Sequence, residues 1–154
     1  MSHLELTWES WSEFGPEGYR LMQEESEEYE AILGLEPLDI NHEEMEQASA
    51  AGRLNVLCAR DRGLPVGYFM IFISMDQEVK TQVIASQGPW YVKAEAKYYG
   101  LGLRLLDEAK TFVSGLGIKL FELHHPVVGR GARLEALFLR LGARPINRTY
   151  RLKL

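Results

Sequence analysis

A glycine-rich turn near the middle of the chain is the part of the sequence best suited to chemistry. The apolar stretch 89–92 runs into a short polar turn, which ends in Gly100-Leu101-Gly102 and continues directly into an amphipathic helix. The first N–H groups of a helix have no partner inside it, and the helix dipole is positive at that end. Glycine lets a ligand approach the backbone closely. The turn therefore predicts an anion site that suits a phosphate or pyrophosphate.

Two well-defined phosphate-binding motifs do not fit this turn. A P-loop requires Gly-Lys-Ser/Thr, whereas Leu103 and Arg104 follow the second glycine here. The dinucleotide fingerprint requires a third small residue where this chain has Leu105. Glycines also precede helices that bind nothing, so a purely structural turn is the alternative.

The turn resembles motif A of the GNAT N-acetyltransferase family, whose pattern is Gln/Arg-x-x-Gly-x-Gly/Ala. The chain carries Lys97-Tyr98-Tyr99-Gly100-Leu101-Gly102 here, with lysine in place of glutamine or arginine. The later stretch 137–143 resembles the second signature of the family, Leu-Tyr-x-x-Leu-Gly-Phe. The resemblance is clearest over residues 53–154. It is strongest to phage-encoded members, which end in a similar Tyr-x-Leu-Lys-Leu tail.

This resemblance implies a fold and an activity. The expected fold is an α/β, GNAT-like single domain over residues 1–154. Its mixed, mostly antiparallel central sheet would have six to seven strands flanked by about four helices. The expected activity is acetyl-CoA-dependent transfer of an acetyl group to a primary amine on a small molecule, a protein or a modified nucleobase.

The resemblance also implies where acetyl-CoA binds. The end of the fourth strand would hold the pantetheine arm, N–H groups of the glycine turn would hold the phosphates, and Lys97 and Arg104 would add positive charge. The predicted cofactor-binding residues are Tyr91, Val92, Lys93, Lys97, Tyr98, Tyr99, Gly100, Leu101, Gly102, Leu103 and Arg104.

The two side chains that most often assist the reaction in this family are missing. The position of the usual tyrosine acid holds Phe138, and the position of the usual carboxylate holds Gly88. His124 and Glu122, at the end of the predicted fifth strand, are the candidate catalytic residues in their place, because a histidine there could act as a base near neutral pH. The alternative for His124 is a surface or capping role. The alternative is a catalytically weak or inactive relative that acts as a binding or structural protein.

Charge is distributed unevenly along the chain. Residues 1–96 carry a net charge of −12 and residues 97–154 a net charge of +7. A basic half suggests a polyanionic partner, for which the nucleotide end of coenzyme A and nucleic acid are the two candidates. The alternative is that the two halves neutralise each other. The acidic run 24–28 is interpreted as a solvated helix face, and its alternative function is a site for a cationic acceptor.

Composition indicates a globular cytoplasmic protein, in the host cytoplasm if the gene belongs to a phage. No signal peptide or membrane-length apolar run is present, and no histidine and cysteine spacing typical of a metal site occurs. The single cysteine, Cys58, lies in an apolar strand pattern and is expected to be buried. Exposed edges of the predicted sheet are compatible with a homodimer.

Periodicity and turn residues predict the order of elements. Helices are expected over 16–33, from Asn41 as N-cap to Gly52, over 103–113 and over 130–141; strands are expected over 3–8, 54–60, 65–75, 79–92, 118–123 and 148–154. A bulge is expected in the fourth strand at 87–89, because Gly88 weakens pairing and Pro89 lacks an N–H. By analogy with the family, the loop 34–42 is expected to select the acceptor.

Overall fold

A computed structural model describes residues 3–33, 37–125 and 131–154, with the side chains of residues 29–33 left out of the description. Residues 1–122 form one compact unit and residues 123–154 a second. The elements are β1 (Leu4–Glu9), α1 (Trp11–Leu33), α2 (His42–Ala50), β2 (Leu54–Asp61), β3 (Leu64–Met75), β4 (Val83–Val92), α3 (Leu101–Gly115), β5 (Leu120–Glu122) and α4 (Gly131–Arg140). No helix in these described ranges is both long and apolar enough to span a membrane.

The sheet follows the order of the chain, β1-β2-β3-β4-β5. The first four strands pair antiparallel, and β5 pairs parallel to β4. The prediction of a mixed, mostly antiparallel sheet with four helices is confirmed. Between the predicted strands 54–60 and 65–75, the sequence Asp61-Arg62-Gly63-Leu64 predicts a turn with glycine where positive φ is needed. The β2–β3 hairpin does turn there, and both Arg62 and Gly63 have positive φ.

Helices cover both faces of the sheet. Successive residues of a strand point to opposite faces. Tyr68 and Met70 pack in a core with Trp11 and Phe14 of α1. On the other face, the Cβ position of Gly67 lies 3.5 Å from the Leu105 side chain of α3. The helices α1 and α3 therefore lie on opposite faces of β3.

Local sequence explains where two helices begin. The Asn41 side chain accepts a hydrogen bond from the Glu44 N–H at 3.2 Å, so the predicted N-cap of α2 is confirmed. The helix α1 begins earlier than predicted, at Trp11, with a kink at Gly15 just before Pro16. Proline fits a first helical turn because that turn leaves its N–H groups unbonded anyway.

The prediction of six to seven strands is wrong, since the described residues form five. Residues 148–154 alternate in polarity as expected but form no strand, and Tyr150 and Leu152 are exposed. Alternation reports an amphipathic segment, whereas a strand also needs a neighbour that bonds its backbone. The strand β5 is also shorter than predicted, and β4 begins at Val83 rather than Val79.

Candidate functional site

The strand β4 is half open along its β5 side. Its ladder with β5 covers only Ile84, Ala85 and Ser86, although β4 continues to Val92 and pairs there with β3. Across the described residues, no strand bonds the β5 side of residues 88–92. The backbone groups on that side are available to a ligand that can pair in an extended conformation.

A bulge separates the paired and open parts of β4, as the sequence predicted. Phe69 pairs with Trp90 and Ile71 with Gln87, so three steps on β4 face two on β3. Gly88 lies inside this irregularity. A Cβ at position 88 would lie 2.6 Å from the edge of the Phe72 ring and 3.2 Å from the Met70 Cβ. The position that carries a carboxylate in the GNAT pattern has no room for a side chain here.

We expect that Gly88→Ala destabilises the protein by about 1–3 kcal/mol, because overpacking a strand face forces Phe72 to move. The matched control is Gly115→Ala, because nothing lies within 4 Å of a Cβ at that position. Chemical denaturation of both variants and the wild type measures the difference. Equal stabilities for Gly88→Ala and the wild type would show that the space beside Phe72 is larger than described.

The turn after β4 is anchored by a buried tyrosine. Tyr98 ends a single 3-10 turn, is 6% exposed, and donates a hydrogen bond from its hydroxyl to Asp61 Oδ2 at 2.8 Å. The N–H groups of Tyr98 and Tyr99 donate to Glu95 O and Ala96 O. The resemblance assigns the N–H groups of residues 98–102 to the phosphates, but those of Tyr98 and Tyr99 serve the turn itself, and the Tyr98 ring is part of the core.

The helix α3 begins without a side-chain cap. Gly100 is its N-cap, in a left-handed conformation with φ 82° that favours glycine. Nothing lies within 4 Å of a Cβ on Gly100, and a Cβ on Gly102 would first meet Trp90 at 3.7 Å. The first N–H groups of α3 therefore have no side-chain cap, and the helix start lies beside Trp90 in the open part of β4.

The positive side chains near this helix start differ in their surroundings. Arg104 is exposed on the first turn of α3. Lys97 Nζ lies 3.7 Å from Asp61 Oδ2 and 3.6 Å from Glu95 Oε2. A pocket of about 530 Å³, with Asp61, Lys93 and Lys97 in its lining, lies on that side of the turn, and none of residues 99–104 lines it. In the described conformation, the positive charge at the start of α3 comes from Arg104, whereas Lys97 lies near Asp61 and Glu95.

The acidic run of α1 meets the sheet beside the open part of β4. Glu25 is half-buried and accepts a hydrogen bond from the Tyr68 hydroxyl. Glu28 Oε1 accepts a hydrogen bond from the Tyr91 hydroxyl at 2.7 Å. Glu24 Oε2 lies 3.9 Å from Lys93 Nζ. The prediction that this run is only a solvated face is wrong for Glu25, whereas Glu27 is exposed as expected.

Burial and charge shift the proton affinities in this cluster. Burial, with a smaller contribution from the negative charge of Glu28, raises the pKa of Glu25 to about 7, and the hydrogen bond from Tyr68 partly opposes that rise. Burial and the neighbouring carboxylates raise the pKa of Tyr68 and of Tyr91 above the ordinary tyrosine value. Both phenols therefore stay protonated at neutral pH, whereas the Glu25 carboxyl titrates there.

Helical spacing could have found Glu25. It lies four residues after Leu21 and three after Met22, and both of these side chains are buried. Residues at these separations share one face of a helix. This spacing would place Glu25 on the apolar face of α1, whereas a run of acidic residues considered one by one suggests exposure to solvent.

The two predicted catalytic residues lie two positions apart in the sequence, one at the end of the first unit and the other at the start of the second. Glu122 is the last residue of β5 and pairs in register with Ser86. His124 is exposed in the second unit, where the His125 and Phe138 rings also lie 6.2 Å apart. Both catalytic roles stay predictions. The acceptor loop 34–42 lies partly outside the described residues.

Two further expectations concern cysteine and metals. Cys58 is fully buried and unpaired, which confirms the prediction of a small core residue. Burial raises the pKa of its thiol, so a reactive thiolate does not form there at neutral pH. No group of three or more His, Cys, Asp or Glu side chains in the described part of the chain could hold a metal ion.

Comparison with known proteins gives similarity in structure only. No protein-family model and no curated protein matches the sequence. A GCN5-related N-acetyltransferase from Ralstonia eutropha JMP134 has a TM-score of 0.71 at 16% identity, over 97% of this chain and 98% of that chain. The fold is the GNAT fold.

Two other solved structures with the GNAT fold carry informative ligands. A predicted acetyltransferase from Clostridium acetobutylicum, solved with acetyl-CoA, has a TM-score of 0.67 at 13% identity, over 97% of this chain and 96% of that chain. An aminoglycoside acetyltransferase, meta-AAC0020 from an uncultured soil metagenomic sample, was solved in complex with sisomicin. It has a TM-score of 0.71 at 14% identity, over 99% of this chain and 97% of that chain.

Proposed function

We propose that the protein is an acetyl-CoA-dependent N-acetyltransferase that acts on a primary amine. The observation that carries this proposal is the continuous path from the open edge of β4, through the turn, to the uncapped start of α3. The path suits an extended chain that ends in a pyrophosphate. The fold shared with acetyltransferases supports the same function.

Different residues along this path would bind different parts of acetyl-CoA. The backbone of β4 around Val92 would pair with the pantetheine arm, and the N–H groups of residues 100–103 would hold the pyrophosphate. The Lys93 N–H and C=O are less suited, because they already bond Val66 O and the Glu95 N–H. Arg104 is placed to add charge there, and Lys97 could do so only by leaving Asp61 and Glu95. When bound, acetyl-CoA supplies an activated acetyl thioester, and the protein holds that thioester and the amine in position.

A second candidate function is a cofactor-binding protein without turnover. Two observations favour it: Phe138 has no proton to give, and Gly88 is packed against Phe72. This candidate shares the acetyl-CoA site with the first and differs only in the absence of acetyl transfer. The origin in a phage, the cytoplasmic location, the single domain and the homodimer stay predictions.

Titration calorimetry with acetyl-CoA, followed by a thiol-release assay, tests the proposal. Amine probes are sisomicin, spermidine and a short peptide with a free N-terminus. We expect micromolar acetyl-CoA binding and amine-dependent thiol release with at least one probe. Binding without release would favour the second candidate, and a folded protein that binds no acetyl-CoA would refute both.

A further inference from the structure

Three acidic side chains of α1 are attached to the part of the sheet that would hold the cofactor. Glu28 bonds the Tyr91 hydroxyl, and Glu24 lies near Lys93. Glu25 reaches the same region through Tyr68, which pairs in register with Tyr91 across β3 and β4. The Tyr68 and Tyr91 ring centroids lie 6.1 Å apart. The carboxylates therefore lie on one face of the open part of β4.

The glycine turn serves the opposite face. Gly102 lies closest to Trp90 and Val92, which alternate with Tyr91 along the strand. A ligand that pairs along the β4 edge would have α3 on one side and the Glu25 cluster on the other. An amine that approaches from the α1 side would meet carboxylates.

Glu25 differs from its acidic neighbours in its environment. Glu24 and Glu28 are exposed, whereas Glu25 is half-buried under the fully buried Tyr68. A general base is most effective when its pKa is near the working pH. Burial brings the Glu25 carboxyl into that range, with a pKa of about 7.

We propose that Glu25 is the base that takes a proton from a cationic primary amine in the reaction proposed above. This role rests on the proposed acetyl transfer. The ammonium gives one proton to the Glu25 carboxylate and becomes a nucleophilic amine. Its nitrogen then forms the C–N bond to the acetyl carbon while the C–S bond of the thioester breaks. A second proton passes from nitrogen to the departing thiolate, and Glu25 releases its proton to water.

Two of the groups that face Glu25 change its pKa in opposite directions, and this allows a specific test. The groups that face Glu25 are Glu24 and Glu28 on α1, Tyr68 on β3, Tyr91 near the end of β4, and Lys93 just after β4. The Tyr68 hydrogen bond lowers the Glu25 pKa and the Glu28 charge raises it. Tyr68→Phe should therefore shift the rising limb of the pH–rate profile to higher pH, and Glu28→Gln should shift it to lower pH.

The experiment measures kcat, KM and acetyl-CoA affinity from pH 5.5 to 9.5 with the most active amine probe. We expect Glu25→Gln to lower kcat about 100-fold at pH 7.5, the lower end of the usual range for general-base catalysis. Acetyl-CoA binding should stay within about twofold, and the limb near pH 7 should disappear. Glu27→Gln is the matched control, because Glu27 is exposed on the same helix and its substitution removes the same charge. Carbon NMR of glutamate-labelled protein gives a second readout without turnover, in which the carboxyl titrating near pH 7 should be absent from Glu25→Gln.

Each outcome decides the proposal. A Glu25→Gln protein with wild-type kcat and an unchanged limb would overturn the role of Glu25 and leave acetyl transfer intact. The role would also be overturned if the rising limb of the pH–rate profile lay at the same pH in Tyr68→Phe and Glu28→Gln. A wild-type protein that binds acetyl-CoA but acetylates no probe would overturn both the role and the proposed activity. Loss of kcat with retained binding and oppositely shifted limbs would support the role.

Discussion

Gly102→Glu is expected to abolish acetyl-CoA binding, with an affinity loss of at least about 100-fold. The substitution places a carboxylate at the uncapped start of α3, where the pyrophosphate would lie. The new carboxylate would repel the negative pyrophosphate, and the new side chain would occupy the space beside Trp90. The negative charge would also take up the helix N-terminal N–H groups that the phosphates need.

The control for this variant is Gly115→Glu. It makes the same substitution in the same helix, about 20 Å away at a rise of 1.5 Å per residue. Nothing lies within 4 Å of a Cβ at Gly115, and the residue is exposed. Titration calorimetry should give wild-type affinity for Gly115→Glu. If Gly102→Glu bound as tightly as the wild type while folded, the phosphates would have to lie elsewhere, and the proposed cofactor path would be wrong.

Features encoded by a few neighbouring residues could be predicted from the sequence. The Asn41 cap, the Gly63 turn and the bulge around Gly88 each depend on the backbone preferences of one or two residues. The glycine turn before α3 belongs to the same class, because only glycine adopts the conformation of Gly100 without strain. At these positions, the residue and its immediate neighbours were enough to predict the backbone conformation.

Features that depend on partners distant in sequence could not be predicted. The alternating segment 148–154 has no strand to pair with among the described residues, so its pattern alone did not make a strand. The Tyr68–Glu25 hydrogen bond joins positions 43 residues apart, and Tyr68 lies in the apolar strand β3. Burial of a carboxyl group is a property of the packed fold, and the shifted pKa of Glu25 follows from that burial.

The Glu25→Gln variant is expected to be more stable than the wild type at pH 8, with a much smaller difference at pH 5. The folded pKa of Glu25, about 7, lies above the ordinary glutamate value of 4.5, so the folded protein holds the proton more tightly than the unfolded chain does. Stability should therefore fall as the pH rises from 4.5 through 7. At 1.36 kcal/mol per pKa unit the loss is at most about 3 kcal/mol, and partial exposure of Glu25 makes about 1–3 kcal/mol the expected range.

Glutamine has the shape of protonated glutamate and can still accept the Tyr68 hydrogen bond, so it removes the cost of the buried charge. Denaturation of both proteins at pH 5 and pH 8 measures the effect, with Glu27→Gln as the exposed control that should change stability by less than about 0.5 kcal/mol at either pH. A stability gain confined to high pH would locate the titrating charge at Glu25. Equal gains at both pH values would instead place the cost in packing.

The same substitution thus separates two explanations for a half-buried carboxyl group in this fold. If Glu25→Gln gains stability above pH 7 and also loses acetyl transfer, the protein keeps a destabilising charge because the reaction needs it. Sites that trade stability for activity in this way are common in enzymes. If the stability gain comes with full activity, the Tyr68–Glu25 pair is a feature of packing, and the proton must leave the amine by another route.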